Sequence, residues 1–382
     1  MPATLVLSRR SNMASSATDT RSSSQAENLN RALAHLRNQM SPESLARADR
    51  IAKINSRYVV RSQDKELEKV IEGMIEAQAA FGQSGYAASE AHKQRAVFVI
   101  GESGSGKSTA VRRMFSLQRT FQPYVDDFGQ RIMPAVSLEA PEPFTMKLLA
   151  RDGLEAIGYP IERDRQENQM WDLFRDQIRE RCVFWLHIDE MQHAIRSTKR
   201  SEIQKAADVV KSLLQMSDWP LNAIFSGVPS LAQFLQHEDR QLKNRAKVIR
   251  FEPLRPGTDT VRLRKVIEGV ICIHAEMEVE DVVLTEPFAN RVMHATNYAF
   301  GTAIQFVREV IFEILRDERE KVEARDFVQA YSNFTGCKPD ANIFTASDWK
   351  NINPGNALKD YLIAAQKHEQ DAWRTTQYRS RK

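Results

Sequence analysis

Residues 96–109 read AVFVIGESGSGKST, an apolar run that breaks into glycine and serine and ends on a lysine and two hydroxyl residues. A short apolar run stopped by glycine reads as a strand buried on both faces. The STAVRRMFSLQR that follows (108–119) reads as a helix. Gly101, Gly106, Lys107 and Ser108 fit G-x-x-x-x-G-K-[ST] at every fixed position, in the strand, loop and helix context that separates this P-loop pattern from a plain Gly/Ser turn.

Phosphate chemistry explains the composition. A triphosphate is held by a curl of backbone N–H groups and the positive end of a helix, and a Cβ on the loop would keep the backbone away from it. Gly101, Glu102, Ser103, Gly104, Ser105, Gly106, Lys107, Ser108 and Thr109 are therefore the candidate ATP contacts. Lys107 would reach the β and γ oxygens as a point charge. Ser108 would give one hydroxyl ligand to Mg²⁺, which keeps most of its waters.

A second stretch, VFWLHIDEMQ (183–192), ends another apolar run on an acidic pair. Carboxylates in that position are costly unless a cation meets them. Asp189 is expected to hold the metal's water shell, and Glu190 to orient and deprotonate an attacking water, which points to hydrolysis. His187, just inside the run, reads as packed core and takes no role.

Further β-rich runs, IMPAVSL at 132 and LNAIFSG at 221, alternate with helical stretches, so the fold class is α/β, a parallel sheet flanked by helices. After RFEPLRPGT the pattern turns helical and stays so through DTVRLRKVIEGVICIHAEME, PFANRVMHATNYA, TAIQFVREVIFEILRDERE and EARDFVQAYSNF. Pro253, Pro256 and Gly257 mark the change. The expected organisation is a disordered tail over 1–40, a nucleotide-binding domain with a helical lead-in over 41–255, a helical lid over 256–335 and a C-terminal partner-docking tail over 336–382. Ser41 and Asp64 are placed as helix caps in the lead-in. The tail carries an amphipathic stretch near 356–373 and a basic end, and its aromatics, Phe344, Trp349, Tyr361 and Trp373, read either as a docking peptide or as packing on the lid.

The chain has 382 residues, a formal net charge of +4 and three widely spaced cysteines, which form neither a disulfide framework nor a metal-ligand spacing. No apolar run approaches the roughly 18 residues of a membrane span. A reducing, cytoplasmic setting without a membrane is expected, and the Ser-rich first 27 residues read as a tail and not as a transit peptide. The charge permits a nucleic-acid partner without requiring one.

Within WPLNAIFSGVPSLAQFL (219–235), Ser226 stands where a γ-phosphate sensor would lie, though serine before glycine is also an ordinary strand end. EDRQLKNRAKVIRFEPL (238–254) places Arg240 and Arg245 before a closing strand. The order of P-loop, acidic strand, sensor strand, arginine and helical lid resembles the AAA+ ATPases. LKNR is similar to their arginine-finger box, which makes Arg245 the candidate that reaches a neighbour's site. The lid departs from the commoner pattern, with Thr302 and Ala303 after Gly301 where an arginine is usual; Gln305 or Arg308 would substitute.

Closer still, INSRYVV, VIGESGSGKST, IDEMQHAI, FSGVPSLAQFLQHEDRQLKNR and NIFTASDWKNINP resemble the TniB/TnsC family of transposition ATPases over roughly residues 45 to 350. The resemblance implies a DNA-binding ATPase that assembles as a ring or helical filament on duplex DNA and links a target-selector protein to a DDE transposase. Candidate DNA contacts are Arg196, Lys199, Arg200 and Lys205 in AIRSTKRSEIQK, then Thr145 and Lys147; the basic segment reads equally as a solvated loop. Two other classes compete. A replication initiator or helicase loader predicts a dedicated DNA-reading domain after the lid, and a nucleotide-switched scaffold predicts indifference to DNA.

Overall fold

The computed structural model describes residues 27–84, 95–161, 163–194, 200–216, 218–236 and 245–356. Two compact units emerge, one running from Val60 to Glu252 with the stretch up to Gln39, the other from Pro253 onward together with Met40–Val59.

The first unit is built on five parallel strands, β1 (Ala96–Gly101), β4 (Ala135–Glu139), β5 (Trp185–Asp189), β6 (Asn222–Gly227) and β7 (Ala246–Phe251), in the spatial order β4-β5-β6-β1-β7. A hairpin of β2 (Tyr124–Val125) and β3 (Arg131–Ile132) stands apart from this sheet. Side chains alternate faces along each strand. Ala96, Phe98, Ile100, Leu186, Ile188, Ala223 and Phe225 enter the core shared with α5 (Met146–Ala156), α6 (Glu167–Glu180) and α7 (Arg200–Leu214). Val97, Val99, Trp185 and Ile224 enter a second core with α3 (Ser62–Ser84) and α4 (Lys107–Leu117). A sheet covered on both faces explains strands that are apolar throughout. Because β1 lies between β6 and β7 while the chain leaves it for the far edge at β4, the crevice at the carboxyl ends of these strands is the natural ligand position.

The helical lead-in divides. Ser41 caps α2 (Pro42–Ser56) by accepting from the Ser44 N–H, but the buried face of α2, centred on Ile54, belongs to the second unit. Only α3 stays with the sheet. Asp64 lies inside the first turn of α3, where its carboxylate accepts from the Arg61 N–H at 2.7 Å; it caps from the third helical position and not from in front. The tail expected to be disordered to residue 40 contains an exposed helix, α1 (27–38).

The second unit packs α8 (Thr260–Glu268), continued by a π-helical turn over Gly269–His274, against α9 (Glu286–Ala295), α10 (Phe300–Arg316) and α11 (Ala324–Thr335), so all four helical patterns form helices. β8 (Glu278–Val279) and β9 (Lys321–Val322) pair beside them. Arg50 of α2 makes a two-pronged contact with Glu320, both distances 2.7 Å, and Lys53 meets Glu276. Arg308, a candidate lid residue, donates from its guanidinium to the Arg57 carbonyl within this unit.

Residues 339–356 lie on the helical core. Ile343 is fully buried, and Phe344 stands within ring contact of Phe288, Phe306, Phe327 and Tyr331. Arg291 donates to the carbonyls of Ile343 and Ala346, and the His294 Nε2–H donates to the Ile352 carbonyl at 2.7 Å while its ring stands against Trp349. Phe344 and Trp349 therefore pack on the helical core of the second unit; Tyr361, Trp373 and the stretch from 357 onward lie outside the described residues. Ile343→Ala is expected to destabilise the helical unit by about 2–5 kcal/mol through lost burial and the cavity left behind. A urea unfolding midpoint equal to that of the unchanged chain would mean that the strap is only laid on the surface.

Candidate functional site

β1 ends against β7. A Cβ on Gly101 would stand 2.7 Å from the Phe251 carbonyl oxygen and 2.8 Å from Ser105 Oγ, so no side chain fits there. Gly106 turns the loop into α4 at φ +92°, a left-handed value that glycine adopts without strain. Lys107, the first residue of α4, is 5% exposed, and its Nζ folds back to donate to the carbonyls of Gly101 (2.7 Å) and Glu102 (2.9 Å). Burial pulls its pKa below the ordinary lysine value, against the opposing pull of Glu190, Asp189 and Glu102. An ammonium satisfied only by its own loop has stronger acceptors to gain from an anion.

Asp189 closes β5 beside this loop. Its Oδ1 accepts the Ser226 hydroxyl at 2.5 Å and the Glu190 N–H at 3.0 Å, and Ser108 donates to the same carboxylate. Arg112 of α4 stands 4.0 Å from Oδ2. Burial pushes the Asp189 carboxyl up, but the hydrogen bonds from Ser108, Ser226 and the Glu190 N–H favour the ionised form and leave the pKa below the usual carboxylate value.

Glu190 follows with φ +52°, an uncommon value for a residue with a side chain. Its Oε2 accepts from Gln192 Nε2, while Gln192 Oε1 accepts from the Val228 N–H at 3.2 Å, so one buried amide ties the carboxylate to the end of β6. Gly227 leaves room for it, since a Cβ there would lie 2.5 Å from Gln192 Oε1. His187, fully buried, bonds Ser226 Oγ through Nε2 (2.7 Å) and Ser137 Oγ through Nδ1 (2.8 Å). Burial lowers its pKa to about 4, so the ring is neutral near pH 7.

The fold thus brings Lys107, Ser108, Asp189, Glu190 and Ser226 to one place, and treats the other candidates differently. Ser226 is fully buried, with its hydroxyl committed to Asp189 and His187; it meets the site through the carboxylate and not as an open contact for phosphate. Arg245 donates to the Leu214 carbonyl at the end of α7, 3.3 Å away, so reaching a neighbouring copy would first require releasing that helix end. Thr145 caps α5 by accepting from the Leu148 N–H, and Lys147 is paired with Asp164 at 2.6 Å. Arg196, Lys199 and Arg240 lie outside the described residues, as do the side chains of Arg200 and Lys205.

Three residues escaped the sequence reading. Arg61, 4% exposed, lays its guanidinium 4.5 Å over the Phe251 ring, next to where a Gly106 Cβ would be. Arg112 and Gln192 are the others. Arg112 and Gln192 sit within the two quoted stretches' elements, five residues past Lys107 and two past Glu190, while nothing in the pattern around Arg61 marks it.

For Mg²⁺ the donor set is one hydroxyl, Ser108, and one carboxylate, Asp189, both hard oxygens. Among the described residues no cluster of three or more His, Cys, Asp or Glu stands ready to hold a metal. Two protein oxygens completed by phosphate and water is the mode that suits this ion, so the residues present fit it.

Arg245→Ala should lower the stability of the first unit by about 1 kcal/mol through the lost hydrogen bond to the α7 end. Unchanged unfolding, with hydrolysis lost at every protein concentration, would instead place this side chain at a neighbour's site.

Comparison with known proteins now adds the lineage. No curated protein matches the sequence. Among solved structures, Cdc6p from Pyrobaculum aerophilum is 13% identical with a TM-score of 0.44, covering 63% of this chain and 60% of its own length. A Walker-type ATPase of Pyrococcus abyssi is 14% identical with a TM-score of 0.45, covering 74% and 73%. The Aeropyrum pernix ORC1 protein, solved in complex with DNA, is 14% identical with a TM-score of 0.47, covering 74% and 67%. The chain spans only 60% of the length of the first of these. The family described as Bacterial TniB protein matches residues 69–255. The matched region holds the P-loop, both carboxylates and Ser226 on the five-stranded parallel sheet, so the part of this chain that is similar to the TniB family is the part that carries the candidate site.

Proposed function

We propose that this chain is an ATP-hydrolysing regulator of DNA transposition that assembles on duplex DNA and couples a target-selector protein to a DDE transposase. The observation that carries the ATPase part is the convergence of Lys107, Ser108 and the Asp189–Glu190 pair at the carboxyl ends of β1 and β5, the two strands that flank β6. The transposition part rests on the TniB family match, and the DNA part on that match together with the basic segment 196–205.

In this reading the loop amides and Lys107 would hold the β and γ phosphates, Ser108 would give a hydroxyl to Mg²⁺, and Asp189 would hold the ion through its water shell. The ion would supply charge neutralisation at the phosphate oxygens. Glu190, with Oε2 engaged by Gln192, offers its other oxygen to the attacking water. It takes that water's proton as the new P–O bond forms and the bond to the ADP oxygen breaks. Gln192 holds the base in place from the end of β6, so arrangement of that strand end and alignment of the base are mechanically joined. Arg196, Lys199, Arg200 and Lys205 would neutralise DNA phosphates without reading bases, and binding would fall as salt rises.

The test is electron microscopy of the full chain with duplex DNA, comparing a non-hydrolysable ATP analogue with ADP. Rings or filaments on DNA with the analogue alone are expected. Particles indifferent to both DNA and nucleotide contradict the DNA and transposition parts. Two variants examine the site itself. Lys107→Ala should abolish nucleotide binding, and Glu190→Gln should keep ATP bound while hydrolysis falls by on the order of a hundredfold or more. An unchanged rate in Glu190→Gln removes its assigned role.

A further inference from the structure

The mostly apolar face of the sheet under α4 carries a thread of hydrogen-bonded polar side chains. Ser137 on β4 is level with His187 on β5, Ser226 on β6 lies two residues beyond Ile224, the register partner of His187, and the thread returns to β5 at Asp189. Around it lie Trp185 and Ile224, fully or almost fully buried, and Phe115 of α4, whose ring meets the imidazole edge-on at 6.0 Å. Polar groups in such surroundings are costly unless every one is paired, and here each is.

The pairing also has a direction. A carboxylate only accepts, so Ser226 spends its single hydroxyl proton on Asp189 Oδ1. Ser226 Oγ must then accept from His187, which places the ring proton on Nε2, and the bare Nδ1 accepts the Ser137 hydroxyl. The Ser226 hydroxyl and the Glu190 N–H both fall on Oδ1 and fill its two lone pairs, while Oδ2 stands on the Arg112 side, 4.0 Å from the guanidinium.

We infer that His187 is a positioning residue: it acts through Ser226 to fix the Asp189 carboxylate, saturating Oδ1 and leaving Oδ2 for a divalent cation bound with nucleotide. The inference rests on the reading of the site as one for Mg²⁺ and ATP. Nothing in it requires His187 to touch the ligand, to which fully buried β5 and the intervening serine deny it access. Groups that orient a metal ligand from behind typically change metal affinity 10- to 100-fold when removed, and His187 has that place here.

The test uses the full chain, Mn²⁺ as the probe ion and a non-hydrolysable ATP analogue, with free Mn²⁺ followed by electron paramagnetic resonance and analogue binding measured separately in EDTA. His187→Phe should weaken Mn²⁺ in the ternary complex by about tenfold or more, with analogue binding in EDTA unchanged. Ser226→Ala should do the same, and the double variant should be no weaker than Ser226→Ala alone, because the two act in series. His187→Gln, which retains a donor, should recover part of the loss. If His187→Phe does not fold, Ser137→Ala removes only the far end of the thread and should shift Mn²⁺ affinity less, in the same direction. Unchanged Mn²⁺ affinity in a folded variant overturns the inference, as do losses that multiply in the double variant. An unaltered chain that binds neither analogue nor Mn²⁺ overturns the nucleotide site itself, and the role of His187 with it.

Discussion

A carboxylate at the end of a buried strand has to be met by donors, and the arrangement of the first unit follows from meeting Asp189. β6 brings Ser226 alongside it, the P-loop helix brings Ser108 and Arg112, and its own chain turns so that the Glu190 N–H points back. The turn leaves Glu190 in a left-handed conformation, and Gln192 then holds the glutamate from the far side. One desolvated charge thereby ties together the ends of β5 and β6 and the first two turns of α4. The same donors keep that carboxylate ionised despite its burial, the state in which it can meet a cation.

Much of the fold was legible because it depends on local pattern. Short apolar runs bounded by glycine and acidic residues became parallel strands, and the four helical periodicities after Pro253 became helices. The P-loop was legible for a stricter reason, since Gly101 and Gly106 stand where a side chain would collide or strain the backbone. What could not be read is which buried residue faces which. His187 and Ile188 look alike in an apolar run, yet one joins a hydrogen-bonded thread under α4 and the other joins the core on the opposite face. Sequence separation hides such pairings; Ser137, His187 and Ser226 meet only because β4, β5 and β6 are neighbours.

Roles that depend on partners across space were the least legible. Arg245 read as an arginine finger and Lys147 as a DNA contact, and within the chain they are engaged with a helix end and with Asp164. Phe344 and Trp349 read either as anchors for a partner or as packing on the helices, and a strap of apolar residues beside an apolar helical core gains by covering that core. Likewise α2 looked continuous with α3, while its apolar side, marked by Ile54, completes the helical unit. Arg61 shows the reverse case, a cation whose place beside the Phe251 ring no local pattern announces.

The central claim is that Asp189 and the P-loop form one cation and nucleotide site. Its most direct measurement is a crystal structure of the full chain with Mn²⁺ and a non-hydrolysable ATP analogue, with the ion located by its anomalous scattering. The account predicts the ion between Ser108 and the Oδ2 side of Asp189, with Lys107 Nζ moved from the Gly101 and Glu102 carbonyls onto phosphate. An ion bound elsewhere, or a lysine still folded on its own loop beneath a bound nucleotide, would contradict it.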